Sequence, residues 1–211
     1  MKKTIISCVL FLTAVTAFSQ TPMKTAAEAK LSASDLAVKI ADRILATTTY
    51  EFKNTKTGKT YKSVKNLPLD MNVKVACKYN NWHYTNGVTH IALMELADKT
   101  GAKKYDDYVL KNMNFVFNEG NLDFFKKQYE QAMKNEGWYG VRKLSWHMIF
   151  RGKRLDDNGP MGASLIDLQM KHPNNSFLNY INETAEHLNY GEPHVADGTI
   201  CLLYTSDAAD E

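Results

Sequence analysis

The chain has few of the residues and motifs that mark metal sites, nucleotide sites or nucleophilic enzymes. It contains three cysteines in 211 residues, and the five histidines after His83 stand at no metal-ligand spacing from a cysteine or an acid. A glycine-rich phosphate loop, a Gly-x-Ser-x-Gly sequence and a Cys/His nucleophile arrangement are all absent. The sequence therefore predicts no metal and no cofactor.

An excess of charge of one sign is also missing. The formal net charge is +3, and Lys2 and Lys3 belong to a segment that we expect to be removed. The lysines and arginines form no block that would indicate a polyanion or a membrane surface. We therefore expect neither nucleic acid nor a membrane as a partner.

The first 19 residues have the pattern of a signal peptide. Lys2 and Lys3 precede a mostly apolar 15-residue run, Thr4 to Phe18, and small residues follow before Gln20. The run is shorter than the roughly 20 residues that span a bilayer. We expect cleavage after residue 19 and export to the periplasm or the cell exterior.

Removal of that segment leaves Cys77 and Cys201. Two cysteines in an exported protein can form a disulfide. Because Cys201 begins a tail that we interpret as aberrant, the favoured interpretation is a free and buried Cys77.

Helical periodicity dominates from Ser34 onward, with Ser32 or Ser34 as a suitable N-cap. Predicted helices follow at 86–99, 103–117, 123–135, 160–171 and around Phe177, Ile181, Ala185 and Leu188, with stops at Gly101, Gly120, Pro173 and Gly191. Pro160 is expected to open its helix. Residues 50–66 read as a loop or weak hairpin, and 136–153 have no clean period. No window alternates with a period of two, so we predict stacked helical hairpins, as a toroid or an array.

The first candidate site is the heptapeptide Trp82 to Val88, directly before a predicted helix. Two aromatic residues and a histidine at a helix N-terminus lie where unpaired N–H groups can hold a carboxylate. The structural alternative makes Trp82 and Tyr84 core residues, His83 a hydrogen-bonded histidine and Asn86 a cap. Taken alone, the motif favours that alternative.

The second candidate is the segment from Arg154 to Gly162, which carries the adjacent acids Asp156 and Asp157. One carboxylate can cap a helix while the other points elsewhere, and neighbouring carboxylates raise each other's pKa toward the range useful for proton transfer. Gly159 and Gly162 let a ligand or backbone approach closely. The alternative, a capping pair with a solvated side chain, is equally compatible with the residues.

In order and spacing, four motifs resemble glycoside hydrolase families 88 and 105, the unsaturated glucuronyl and rhamnogalacturonyl hydrolases. The resemblance covers about residues 80–190, through Trp82 to Val88, Leu96 to Gly101, Lys104 to Tyr108, and Arg154 to Gly162 with Ala163 and Leu165. It implies an all-α fold, the (α/α)6 barrel, with the site in a central cleft. It also implies a substrate, an oligosaccharide made by a polysaccharide lyase that ends in a 4,5-unsaturated uronic acid.

The implied mechanism hydrates the vinyl ether of the unsaturated ring instead of using two carboxylates in the ordinary way. By this resemblance Asp157 is the first of the family's two active-site aspartates and orients the ring, with Asp156 as the alternative. Tyr84 contacts the substrate, and Trp82 and His83 flank the cleft.

The resemblance places the main proton donor in a later segment, after a motif like Asp197-Gly198-Thr199-Ile200-Cys201. Residues 202–211 do not continue the family's pattern, so we interpret 1–19 as signal peptide, 20–200 as the N-terminal part of the catalytic domain and 201–211 as a non-native tail. The expected barrel is then about half complete, and this polypeptide is expected to be inactive.

Two other functions fit the same residues. A secreted helical-repeat protein that binds glycans without catalysis would use the helical hairpins and aromatic residues equally well. Another (α/α)-barrel enzyme, such as a polysaccharide lyase or sugar epimerase, would need a His/Tyr or paired-His centre, which the sequence does not assemble.

Overall fold

The computed structural model describes residues 32–117, 120–151 and 155–200, the last range without the side chains of residues 155–157. The predicted signal peptide 1–19, the predicted tail 201–211 and Cys201 lie outside the described residues. Two units are distinguished, Met1–Ala37 and Val38–Glu211.

In the first unit, Ser32, one of the two serines predicted for this role, is the N-cap of a helix. Its Oγ accepts a hydrogen bond from the backbone N–H of Asp35 (3.1 Å) and donates one to Asp35 Oδ2 (2.7 Å). This reciprocal pair satisfies a backbone donor that the first helical turn leaves unpaired.

The described chain is mostly helical, 63% by residue, as the periodicity predicted. Its elements are α1 (Ala33–Thr47), β1 (Phe52–Asn54), β2 (Thr60–Tyr61), β3 (Val73–Val75), α2 (Tyr84–Thr100), α3 (Lys104–Phe117), α4 (Asn121–Val141), a 3-10 turn (His147–Phe150), α5 (Leu155–Lys171) and α6 (Asn175–Tyr190). None of the helices in these ranges is both long enough and apolar enough to cross a bilayer.

Several predicted helix ends are confirmed. Gly101 ends α2 in the left-handed region at φ 69°, and its N–H bonds to the carbonyl of Ala97. A glycine adopts this conformation without the penalty that a Cβ brings. Gly191 caps α6 through the carbonyl of His187.

The predicted start of α5 is wrong. The α5 helix begins at Leu155, so Pro160 lies inside it instead of opening it. Pro160 is the sixth residue of α5, past the positions where a proline is best tolerated, so the helix lacks the hydrogen bond that this residue's N–H would donate to the carbonyl four residues earlier. The helix predicted at 123–135 is present in α4, which is broken at Gly137 (φ 60°, ψ −149°) and then continues to Val141. That break explains why residues after 135 show no continuous period.

The hairpin alternative for residues 50–66 is present, and a third strand joins it in the antiparallel order β2-β1-β3. Phe52 lies opposite both Tyr61 and Val75. Phe52 is fully buried, and its ring lies 5.7–5.9 Å from those of Phe115 and two phenylalanines of α4. Strands of two or three residues are too short to show alternation in sequence.

The α2 helix packs against α3 and α5. Its buried residues are Asn86, Gly87, His90, Leu93, Met94 and Ala97. A Cβ built on Gly87 would lie only 2.3 Å from the carbonyl carbon of Pro160. The absence of a side chain therefore lets α2 and α5 approach closely where both helices begin.

Candidate functional site

The two segments selected from the sequence meet at the starts of α2 and α5. Trp82 Nε1 donates a hydrogen bond of 2.8 Å to Asn158 Oδ1, across 76 residues of sequence. Both side chains are buried, with 0% of Trp82 and 6% of Asn158 exposed. Gly87, the fourth residue of α2, lies against Pro160 and Met161. We call this region the α2–α5 junction.

Asn158 is the centre of the junction. Its Oδ1 accepts from the Trp82 indole, and its Nδ2 donates to the backbone carbonyl of Arg151 at 2.7 Å. One amide thus satisfies a buried indole N–H and a carbonyl next to the second motif. Asn158 belongs to the second motif, but nothing in the sequence of that motif indicates that Asn158 binds a distant tryptophan.

Asparagines also hold the loop before α2. Asn86 Nδ2 donates to the carbonyls of Lys78 and Asn81, each at 2.9 Å. Asn81 Oδ1 accepts from the backbone N–H of Trp82 at 3.0 Å and of Trp146 at 2.5 Å. Asn86 is therefore a buried residue whose hydrogen bonds connect the loop to the helix. The structural alternative that made it a helix cap is wrong.

The cap of α2 is His83. Its extended backbone precedes the helix, and its Nδ1 accepts from the N–H of Thr85 at 3.4 Å. Nδ1 also lies 2.9 Å from the Thr85 hydroxyl. Histidine is an uncommon N-cap, which is why the start of this helix was predicted two residues too late.

Tyr84 is the accessible aromatic residue of the first motif. It is 46% exposed, and its ring centroid lies 4.6 Å from that of half-buried His83. The two rings present an aromatic surface at the N-terminus of α2, where backbone N–H groups favour an anion. Tyr84 and His83 thus have surface with which a ligand could make contact.

Trp82, which we expected to flank a cleft, lies in the core. Its ring contacts Trp146, Phe117 and Tyr180 at centroid distances of 5.2–6.4 Å. With no exposed surface, it is not available for direct contact with a substrate in this structure. Its contribution is to hold Asn158 and the loop before α2, since burial of the apolar ring favours the folded junction.

Asp156 and Asp157 lie in the first turn of α5. Their side chains are outside the described residues, so the assignment of Asp157 to catalysis, with Asp156 as alternative, stays a prediction. The next residue, Asn158, is the buried partner of Trp82. The backbone of both acids is therefore anchored beside the junction.

A groove of about 250 Å³ runs between α5 and α6 and begins at Asn158. Its lining is mostly apolar: Asn158, Gly159, Gly162, Ala163, Ile166, Tyr180, Ile181, Thr184, Ala185 and Leu188. Tyr180 contacts Trp82 and also lines the groove, so the junction forms one end of it. Tyr84 is not among the lining residues.

A buried histidine lies deeper along α2. His90 Nε2 is 3.3 Å from Asn112 Nδ2, and the His90 ring meets Tyr108 edge-on at 6.3 Å. Burial lowers the pKa of His90 from 6.5 to about 4, because the charged imidazolium would lose its hydration. Both rings are buried, so this His/Tyr pair does not form the open centre that a lyase or epimerase would need.

Within the described ranges, no group of three or more histidine, cysteine, aspartate or glutamate side chains is placed to hold a metal ion. Cys77 is free, as we interpreted from the sequence, but it is half-buried instead of buried. No protein-family model matches the chain. No curated protein matches it either.

Proposed function

We propose that the chain belongs to a glycoside hydrolase of the family 88 and 105 type, which releases a 4,5-unsaturated uronic acid from lyase-generated pectin or rhamnogalacturonan oligosaccharides. The observation that carries the proposal is the buried hydrogen bond between Trp82 and Asn158. It joins the two segments on which the resemblance most depends. The proposed fold is an (α/α)6 barrel, to which the six helices contribute the first hairpins.

In the proposed reaction, a carboxylic acid protonates C4 of the unsaturated ring, and the same group then assists attack of water at C5. The resulting hemiketal opens and releases the remaining sugar. The resemblance assigns the main proton donor to an aspartate beyond Asp197-Gly198-Thr199, and it assigns Asp157 to orienting the ring. Tyr84 and His83 offer the aromatic surface against which the sugar would lie.

The residues also support a second candidate, a secreted glycan-binding protein without catalysis. The ring pair of half-buried His83 and exposed Tyr84 favours this candidate, because such a surface can bind a sugar without any acid. Both candidates predict carbohydrate binding, so only turnover separates them.

The test is incubation of the full product of the gene with lyase-generated unsaturated oligosaccharides, followed by the ultraviolet absorbance of the unsaturated uronate. We expect the absorbance to fall, and the Asp157→Asn variant to lower kcat by about 100-fold, a typical effect of removing a group that acts in proton transfer or orientation. Asp123 is a matched control, because it also lies in the first turn of a helix. Asp123→Asn should leave the rate unchanged.

Binding of the oligosaccharide with no loss of absorbance would support the glycan-binding candidate and reject the hydrolase. Equal rates for Asp157→Asn and the unsubstituted protein would leave the hydrolase possible but remove Asp157 from it. Asp156→Asn would then identify whether the neighbouring acid has the role.

A further inference from the structure

Both Asn-Gly pairs of the sequence lie at the α2–α5 junction. They are Asn86-Gly87 and Asn158-Gly159, and no other asparagine in the chain is followed by a glycine. Both asparagines are buried, with 4% of Asn86 and 6% of Asn158 exposed. Gly87 lies against the backbone of Pro160, the residue that follows the second pair. Two pairs that are distant in sequence therefore meet at one closely packed contact.

An Asn-Gly pair is chemically labile wherever its backbone moves freely. The glycine nitrogen attacks the side-chain carbonyl carbon of the asparagine and gives up its proton, a C–N bond forms, and the side-chain nitrogen leaves as ammonia. Water then opens the resulting succinimide ring and yields aspartate or isoaspartate. Glycine favours the attack because it has no Cβ in the way and adopts many backbone conformations. The two pairs are therefore the expected sites of deamidation in an unfolded chain.

The folded structure holds the first pair in an arrangement that opposes this attack. The Gly87 N–H donates a hydrogen bond to the carbonyl of His83 at 3.2 Å, within the first turn of α2. The Asn86 side chain is fixed by its Nδ2, which donates to the carbonyls of Lys78 and Asn81 at 2.9 Å each. Attack therefore requires the start of α2 to unwind and the side chain to leave its two carbonyl partners.

The second pair is held through both polar atoms of its asparagine. Asn158 Oδ1 accepts from the Trp82 indole at 2.8 Å, and Nδ2 donates to the carbonyl of Arg151 at 2.7 Å. Gly159 follows in the helical backbone of α5. Because Trp82 directly precedes α2, separation of α2 from α5 would remove one of these two contacts and expose the pair.

Deamidation would remove the donors on which the junction depends. Conversion of Asn158 to aspartate places a carboxylate oxygen where Nδ2 now lies, 2.7 Å from the carbonyl oxygen of Arg151. Two acceptors at that distance repel each other, and a buried carboxylate also loses its hydration. At Asn86 the same change turns the hydrogen bonds to Lys78 and Asn81 into two such repulsions. The reacted junction therefore cannot close as before.

We propose that Asn86 and Asn158 are deamidation sites that the closed α2–α5 junction protects, and that their reaction makes opening of the junction irreversible. The two helices separate and close again as long as both side-chain amides are intact. Once either amide has reacted, the product carboxylate opposes closure. The proposal goes beyond the proposed function and does not depend on it, because the reaction needs only water and a local opening of the kind that folded proteins undergo.

The test follows both sites by peptide mass while the full chain is kept in mildly alkaline buffer, either folded or in urea. In urea we expect Asn86 and Asn158 to react ahead of Asn66, which is exposed but precedes a leucine. In the folded protein both sites should react about 100-fold more slowly than in urea, because each waits for a small population of open junctions. Equal rates in the folded protein and in urea would overturn the protection.

Two variants separate opening of the junction from global unfolding. Trp82→Phe removes the indole donor from the junction. Val141→Ala leaves a cavity in a separate apolar cluster that Val141 forms with Ala132 and Leu144. We expect Trp82→Phe to accelerate deamidation of both asparagines about tenfold, the effect of losing one buried hydrogen bond, and Val141→Ala to leave both rates unchanged. Equal acceleration in the two variants would overturn the proposal, since the sites would then react through global unfolding.

Asn158→Asp introduces the product directly and tests whether it opposes closure. The control is Asn135→Asp, which adds the same charge at an exposed position of α4. Relative to this control, we expect Asn158→Asp to lower the ratio of folded to unfolded protein about 100-fold at about pH 8, measured by urea unfolding. The loss should be smaller at about pH 4, because a protonated carboxyl again donates to the Arg151 carbonyl. Equal stability of the two variants would overturn the irreversible step.

Discussion

The two sides of α5 differ in how they are packed. Toward α2, the helices approach so closely that Gly87 touches the backbone of Pro160, and Asn158 satisfies a buried indole. Toward α6, a groove remains, and the outward residues Ile166 and Met170 are 46% and 72% exposed. The same helix thus combines a closely packed contact with an open apolar face. Substitutions on the two sides should therefore have very different effects.

The largest effect is expected at Gly87. The Cβ of Gly87→Ala would lie 2.3 Å from the Pro160 carbonyl carbon, which cannot move without shifting α5. We expect a loss of about 4 kcal/mol in the free energy of unfolding, measured with urea. Gly162 is the control on the open side, since a Cβ there meets nothing within 4 Å. Gly162→Ala should be neutral or stabilising by up to about 1 kcal/mol, because it favours the helix. Equal losses at both glycines would contradict the comparison.

The next effect is a pH dependence from His90, which lies deep on the closed side. Its pKa is about 4 in the folded protein, against 6.5 for an exposed histidine. The unfolded chain therefore binds a proton before the folded one does, so stability is complete above pH 6.5 and falls as the pH drops toward 4. We expect a loss of about 3 kcal/mol across this window, measured by urea unfolding at each pH.

The His90→Leu variant should lack this component of the acid dependence, although its stability at pH 7 also changes because the contact with Asn112 is lost. The informative quantity is the difference between pH 7 and pH 4. The same difference in both proteins would show that His90 is not the group responsible.

A smaller effect is expected from Asn158. Asn158→Leu leaves the buried Trp82 indole N–H and the Arg151 carbonyl without this partner, and should cost about 2 kcal/mol. In the Trp82→Phe variant the indole donor itself is absent, so adding Asn158→Leu to that variant should cost less. A coupling near zero in this double-mutant cycle would show that the hydrogen bond does not join the two motifs energetically.

The smallest effect is expected on the groove side. Ile166→Ser removes a half-exposed apolar side chain and should change the free energy of unfolding by no more than about 0.5 kcal/mol. Leu168, two residues further along α5, is fully buried. Leu168→Ala should cost about 3 kcal/mol by leaving a cavity. Similar costs at the two positions would mean that the open face is covered in solution.

The helices could be predicted where their ends carry a local signal. Gly101 and Gly191 were identified as stops because glycine ends helices by its own backbone freedom. The start of α2 was placed late because its cap is His83, and α5 was placed late because Pro160 reads as a first-turn residue. At both helix starts, the packing of the helix outweighs the local conformational preference of the residue that we used to place the boundary.

The candidate site was predictable only in part. The motifs around Trp82 and Asp157 were selected from residue type and order, but local sequence does not separate a buried tryptophan from an exposed tyrosine two positions later. Nor does it show that Asn158 is the partner of Trp82, because hydrogen bonds across 76 residues depend on how two helices meet.

The sequence by itself determined that the chain is helical, where several helices end and which two segments carry the chemistry worth testing. Those properties follow from short-range forces: side-chain period, backbone freedom and capping. Only the tertiary structure decided that the two segments meet, that Trp82 is buried and holds Asn158 instead of contacting a ligand, and that Phe52 lies opposite Val75 in the sheet. Close packing and strand register bring together residues that the chain keeps apart.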